Sequence, residues 1–351
     1  MVFLSCGETM RTVYTDDHHL HQGRAELYNG TLTASFEKPS RADMVLEQVR
    51  AQTLGEVLAP KPHGLEPVLK VHDEGYVRFW ESAWQRWSAT GRDWDALPKM
   101  WQVRRLRERI PEHVEGQLCY YSMDAGTPLT AGTWPAITAA ANVAVTAADC
   151  LLAGEKSVFA LTRPPGHHAA YDYCGGYCYF NNAAITAQRL LDGGVRKLAV
   201  LDVDYHHGNG TQDIFYRRSD VLFLSIHGDP RTEYPFFLGF ADEEGEGDGL
   251  GFNANYPLAA GTDVAGWFAA LEAACTRIQA YGAEALVVSL GVDTYEGDPI
   301  SRFALKHEDF IRLGTRLARL GLPTQFCFEG GYAVEAIGIN AVNVLTGFEG
   351  A

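Results

Sequence analysis

Apolar residues along the chain gather into two alternating kinds of run. Short stretches such as LAVLDV and ALVVSL are apolar throughout, without the every-second-residue alternation of a half-exposed strand. Runs of this kind mark strands buried on both faces, as happens when helices cover a parallel sheet on two sides. Candidate strands lie at 11–15, 157–162, 197–204, 221–227, 285–293 and 324–329. Helical stretches are expected between them, near 133–152, 181–191, 263–281 and 307–320. Gly154 follows VTAADCLLA and Gly321 follows RLGTRLARL, both in the place where glycine stops a helix. This alternation predicts an α/β fold, with a single domain over 1–351 built on a parallel sheet flanked by helices.

The segment 60–115 departs from that pattern. It is rich in Trp, Arg and charge and contains the helical stretch EGYVRFWESAWQRW, so it reads as a helical and loop insertion near the site or a subunit contact. Trp80, Trp84 and Trp87 recur at helical spacing, which favours core or interface packing over a ligand platform.

Composition narrows the class. Hydrophobic residues make up 46% and charged residues 21% of 351, ordinary globular usage that argues against disorder. No apolar run approaches the roughly 20 residues that span a bilayer, so no membrane association is expected. The opening MVFLSCGETMR is too short in apolar residues for a secretory segment, and Cys6 is too near the start for a lipoprotein signal. Seven cysteines, an odd and scattered set, fit a reducing compartment, and a cytoplasmic location is expected. Cys174 and Cys178 form a lone C-x-x-x-C, read as small packed residues rather than a metal clip. The net charge of −15 disfavours nucleic acid and would help to collect a cationic substrate, although solubility alone also accounts for it.

Candidate chemistry collects where the strands end. FALT runs into RPPGHH (163–168), LAVL into DVDYHHGNG (202–210), LVVSL into GVD (291–293) and TQFCF into EGGY (329–332). Ligands of open parallel sheets bind beyond the carboxyl ends of the strands, so these four clusters are expected to meet in one pocket. Asp204 and His206, two apart on extended backbone, would face the same point. A carboxylate with an imidazole suits Zn²⁺ or Fe²⁺, and Asp293 is the candidate third ligand, leaving room for water and substrate. Taken alone, D-x-H is more often a hydrogen-bonded pair in a turn. His167 and His168, after Pro164, Pro165 and Gly166, are candidates for the proton-transfer and charge-stabilising pair, with Asp202 and Asn209 placed to orient them. Tyr332, after two glycines, could donate to a carbonyl oxygen as it gains charge, although Gly175-Gly176-Tyr177 repeats the same local pattern. His207 points away on extended backbone and reads as structural. The acidic 242–249 stretch lacks EF-hand spacing and reads as a solvated loop.

RPPGHHA, GGYCYFNNAA, LDVDYHHGNGTQDIF, LSIHGDP, SLGVDTYEGDPIS and EGGY, in this order, resemble the histone deacetylase superfamily. Within it the chain looks most like the bacterial acetylpolyamine amidohydrolases, a likeness that extends to DDHHLHQGRAELYNG and YYSMDAGTPLTAGTW. The resemblance implies an arginase–deacetylase fold with a central eight-stranded parallel sheet. It implies Zn²⁺ on Asp204, His206 and Asp293, with His168 as general base, His167 as electrostatic partner and Tyr332 polarising the carbonyl. Asp202 would orient His167, and Asn209 would orient His168. A structural K⁺ would lie among Asp202, the backbone around Asp204 and His206, and Ser225. Tyr177 and Gly176 would line the substrate tunnel. A homodimer is implied, with the acidic Glu115 and Asp124 placed near the rim to meet a distant ammonium. The function so implied is removal of an acyl group from a small cationic N-acyl amine such as an acetylated polyamine. A protein acetyl-lysine deacylase on the same fold is the nearest alternative. An arginase-like hydrolase would need a second metal and further Asp ligands, and a non-catalytic amine-binding protein would have no use for the full set of residues.

Overall fold

The structure, a computed structural model, describes residues 9–102, 107 and 109–351. The opening segment with Cys6, and residues 103–106 and 108 of the 60–115 segment, lie outside the described residues.

The chain runs through β1 (Arg11–Val13), a hairpin of β2 (Glu26–Tyr28) and β3 (Thr31–Thr33), and then α1 (Ser40–Ala51). It continues through β4 (Val57–Leu58), α2 (Glu66–Leu69), α3 (Glu74–Ser88), α4 (Val114–Tyr120) and α5 (Thr133–Leu152). Next come β5 (Ser157–Ala160), α6 (Asn182–Asp192), β6 (Leu198–Asp202), α7 (Asn209–Phe215), β7 (Val221–Gly228) and β8 (Asn253–Leu258). The last elements are α8 (Val264–Tyr281), β9 (Ala285–Leu290), α9 (His307–Ala318), β10 (Thr324–Phe328) and α10 (Val334–Glu349).

Eight of these strands form one sheet in the order β4-β1-β5-β10-β9-β6-β7-β8. Every pairing in it is parallel. The fold is therefore an arginase–deacetylase-type α/β fold with helices on both faces. Six of the strands coincide with the apolar runs; β4 and β8 are the two edges. β4 has only two residues, and β8 (NANYPL) carries a proline that a central strand would not tolerate.

The central strands are buried from end to end, and their residues divide by parity between two cores. Phe159, Leu201, Leu286, Val288 and Phe326 face one core, with residues of α1, α8, α9 and α10. Val158, Val200, Val287 and Cys327 face the other, with residues of α3, α5 and α6. The two-residue pleat of a strand enforces this division. Gly154 and Gly321 take left-handed backbone just beyond α5 and α9, as expected of helix stops.

By length and composition the 20-residue α5 could cross a membrane, although no apolar run was expected to come close. In the fold it is a core helix, packed against α6 and strands β1, β5 and β10. Its many alanines explain this, since small side chains let it lie close to its neighbours. The Trp stripe is also core: Trp80 and Trp87 are buried and Trp84 is partly buried against the same cluster. Trp80 meets Tyr179 edge-on at 4.9 Å, tying α3 to the loop that carries Tyr177.

Trp80→Ala is expected to cost about 3–5 kcal/mol of stability. Trp94→Ala, at a ring 52% exposed, should cost less than about 0.5 kcal/mol. Urea unfolding midpoints measure the difference, and equal midpoints would contradict this packing.

Candidate active site

The four motif-bearing strands β5, β10, β9 and β6 are consecutive neighbours at the centre of the sheet. Their carboxyl ends consequently deliver the four polar loops to one place. Asp204 and His206 follow β6, and Asp293 follows β9. Their ligand atoms all lie within 4.8 Å of one another. His206 Nδ1 is 3.0 Å from Asp293 Oδ2 and 3.3 Å from Asp204 Oδ1. The backbone here is bent rather than extended as the residue spacing had suggested. The His206 amide folds back to donate to Asp204 Oδ1 at 2.9 Å, and this turn brings the two side chains together.

Backbone amides hold the outer sides of these carboxylates. Tyr205 N–H donates to Asp293 Oδ1 at 2.7 Å, and Gly330 N–H donates to Asp204 Oδ2 at 2.8 Å. Gly330 has to be glycine: a Cβ there would lie 2.3 Å from Asp204 Oδ2 and 2.7 Å from Asp293 Oδ2.

Charge is short at this point. Burial and the neighbouring Asp204 push the Asp293 carboxyl up to about 8. Burial also opposes the charge on Asp204, yet His167 and His206 hold its carboxyl well below the usual range. His206, despite burial, is raised to about 10 by its bonds to the two carboxylates. The protein alone therefore borrows protons to neutralise a pair of buried carboxylates. A divalent cation would replace those protons, and an O, N, O donor set suits zinc or iron. The residues fit such an ion.

The tandem histidines have opposite surroundings. His167 Nδ1 lies 2.9 Å from Asp202 Oδ2. Burial disfavours its charge, but Asp204 and Asp202 outweigh burial and raise it to about 10. His168 Nδ1 lies 2.6 Å from Asn209 Oδ1. Burial, then the positive His167 and His206, push its pKa well below the usual value, and an amide oxygen supplies no charge to oppose them. One ring carries charge and the other is a neutral base with Nε2 free of the Asn209 bond.

Tyr332 is almost buried, its ring 4.7 Å from the Arg41 guanidinium and 5.7 Å from the Tyr177 ring. Burial raises its phenol pKa, so the group stays a proton donor. His168, His206, Tyr332, Gly176 and Tyr177 share a cavity of about 560 Å³.

Other expected residues are placed as follows. Asp202 Oδ1 accepts from Asp204 N–H at 3.1 Å and faces Ser225 in register across β6 and β7. Ser225 Oγ is 2.8 Å from His227 Nδ1. His207 is buried and bonds Gln212 Oε1 at 3.0 Å, a packing role. Asp124 lines the cavity. Glu115 does not line it; this residue of α4 pairs with Lys99 at 2.8 Å. Cys174 and Cys178 are buried free thiols.

Several supports had no clear signature in the sequence. Glu37, Arg41 and Arg163 form a buried ion cluster, in which Glu37 accepts from Arg41 at 2.9 Å and from Arg163 at 2.8 Å through both oxygens. Arg41 also donates to the Gly331 carbonyl at 2.6 Å and to that of Glu329. Glu329 Oε2 accepts from Gly166 and His167 N–H at 2.6 and 3.1 Å. Asp298 Oδ2 accepts from Tyr332 N–H at 2.7 Å. Glu26 and Tyr234 complete the cavity wall. Charged residues at i, i+4, as Glu37 and Arg41 are, usually signal an exposed helix pair, which is why this cluster went unread.

Known proteins carry the same pattern. The histone deacetylase domain profile matches residues 35–348. Acetylpolyamine amidohydrolase 2 of Pseudomonas aeruginosa is 64% identical over 341 residues, covering 97% of this chain and 99% of that protein. Acetylpolyamine amidohydrolase of Mycoplana ramosa is 51% identical, covering 97% and 100% of the two chains. The crystal structure of acetylpolyamine aminohydrolase from Burkholderia pseudomallei superposes with a TM-score of 0.92 at 39% identity, over 97% and 98% of the chains. With a domain match over most of its length and relatives of this identity, the chain belongs to the histone deacetylase family.

Proposed function

We propose that the protein is a zinc-dependent amidohydrolase that deacetylates N-acetylated polyamines or similar small cationic N-acyl amines. The observation that carries this is one cavity holding His206, the neutral base His168 and the phenol of Tyr332, with three carboxylates and one guanidinium on its wall. Glu233 pairs with the Arg302 guanidinium at 3.6 Å, whereas Glu26 and Asp124 have no Lys or Arg partner among the described residues, so the cavity favours a positive guest. The names of the similar amidohydrolases support the same substrate class.

Asp204, His206 and Asp293 would hold the zinc, which would supply Lewis acidity toward an amide carbonyl and toward water. His168, its Nδ1–H engaged by Asn209, accepts the proton of the attacking water at Nε2. His167, charged beside Asp202, stabilises negative charge as it builds. The Tyr332 hydroxyl donates to the former carbonyl oxygen. His168 then returns its proton to the departing nitrogen as the C–N bond breaks, giving the carboxylic acid and the free amine. Asp298 and Arg41 hold the turn that presents Tyr332, and the Glu329 carboxylate holds the loop that presents His167 and His168. A structural K⁺ at Asp202 and Ser225, a homodimer and a cytoplasmic setting belong to the same proposal.

Tyr332→Phe is expected to keep one zinc per chain while kcat falls about 10²–10³-fold, the loss typical of one oxyanion donor. Wild-type turnover in this variant would remove Tyr332 from the mechanism. Asp293→Ala should fail to retain zinc after dialysis, measured by elemental analysis, because one of three ligands is lost; full zinc content would reassign the site. On the zinc-loaded enzyme, kcat/KM for acetylputrescine, acetylcadaverine and acetylspermidine should exceed that for an internal acetyl-lysine peptide. Preference for the peptide would favour a protein deacylase and leave the zinc chemistry in place.

A further inference from the structure

Asp124 lies on the cavity wall, where a carboxylate would ordinarily be read as a direct partner for a substrate ammonium. Its hydrogen-bonding capacity is already spent. Oδ1 accepts from Gly126 N–H at 3.0 Å and from Thr127 Oγ1 at 3.1 Å. Oδ2 accepts from Gly176 N–H at 2.6 Å and from the Tyr234 hydroxyl at 2.7 Å. A carboxylate offers about four lone-pair sites, and four protein donors fill them.

The two groups on Oδ2 have something in common. Each presses on the His168 imidazole. The Tyr234 ring meets it edge-on, with centroids 5.1 Å apart and planes at 88°. Gly176 lies so close that a Cβ there would stand 2.1 Å from His168 Cδ2. The residue before Asp124 serves the same ring from behind. Met123 Sδ is 3.4 Å from the Nδ2 of Asn209, whose Oδ1 holds His168 Nδ1. The Met123 backbone amide donates to Cys174 O at 2.8 Å, which ties the strip to the segment leading into the Gly175–Tyr177 turn.

We propose that Asp124 is a positioning residue for His168, acting through Gly176 and Tyr234 rather than by contacting the substrate cation. The proposal rests on His168 being the proton acceptor of the amide hydrolysis put forward above. Asp124 holds two of the groups packed against the imidazole, and Asn209 fixes its Nδ1 edge, leaving Nε2 as the one nitrogen presented to the cavity. Its charge still contributes to the negative field of the cavity, without a direct bond to the guest.

The test compares zinc-loaded wild type with Asp124→Ala, Asp124→Asn and Tyr234→Phe on acetylputrescine, with kcat and KM taken separately. Asp124→Ala should lose about tenfold to a hundredfold in kcat, the scale of a slightly misplaced catalytic group, with KM within about twofold. Asp124→Asn should recover most of kcat, because its amide oxygen can still accept from Gly176 and Tyr234. Tyr234→Phe, which removes a single hydroxyl, should lower kcat a few-fold, about the weight of one hydrogen bond, and add nothing to Asp124→Ala. If Asp124→Asn and Asp124→Ala both raise KM with kcat intact, Asp124 reads substrate charge and the proposal is wrong. The ¹⁵N-resolved Nδ1–H signal of His168 gives an answer independent of turnover. It should persist in wild type and Asp124→Asn and exchange away in Asp124→Ala. A signal unchanged in Asp124→Ala overturns the proposal, whereas an inactive wild type with the expected signals overturns only the amidohydrolase reading.

Discussion

A carboxylate with no access to water sits between two guanidinium groups in this fold. Glu37 is gripped by Arg163, from the loop that carries both catalytic-type histidines, and by Arg41 of α1. Arg41 reaches on to the carbonyls of the turn before Tyr332. Three segments far apart in the chain are thereby locked to one another where no water can substitute. Removing one partner from a buried ion cluster typically costs about 3–5 kcal/mol, because the survivors keep their desolvation penalty. The cluster carries one more positive than negative group, and the surplus faces the acidic centre around Asp204 rather than solvent.

The remaining loops follow the same logic. Chain leaving a parallel strand has backbone N–H groups that no neighbouring strand takes up, and buried donors must find an acceptor. Here carboxylates from adjacent loops take them: Glu329 serves the 166–167 amides, Asp298 the Tyr332 amide, Asp204 the Gly330 amide and Asp293 the Tyr205 amide. Metal-ligand candidates and supports therefore belong to one network. Asp204 and Asp293 each turn one oxygen toward His206 and the other toward a backbone amide of a loop, so their orientation is set by the protein's own hydrogen bonds.

Much of this was legible in the sequence because it depends on local pattern. Apolar strands ending in polar clusters marked Asp204, His206, Asp293, His167, His168 and Tyr332, and the sheet order brings their loops together. The supports were not legible, since a charged residue such as Arg41 looks the same in sequence whether exposed or buried. Asn29-Gly30 between ELY and TLT is a hairpin signal that could have placed β2 and β3, and with them Glu26, at the cavity wall. The carboxylate of Asp124 was noticed as an acid near the rim, but its partners on Gly176 and Tyr234 come from segments 52 and 110 residues away. Only the fold could disclose them.

The position of β10 bears on how the molecule is made. It is the last strand in the chain, yet it lies between β5 and β9, and among the described residues no other strand joins the β4-β1-β5 half of the sheet to the β9-β6-β7-β8 half. During vectorial synthesis the two half-sheets must wait with open edges until residues 324–328 emerge. Exposed edges of this kind invite wrong pairing, and long-range parallel pairing is slow. Completion of the sheet and arrival of Gly330 and Tyr332 are then one event, so a nascent chain gains its keystone strand and its working centre together.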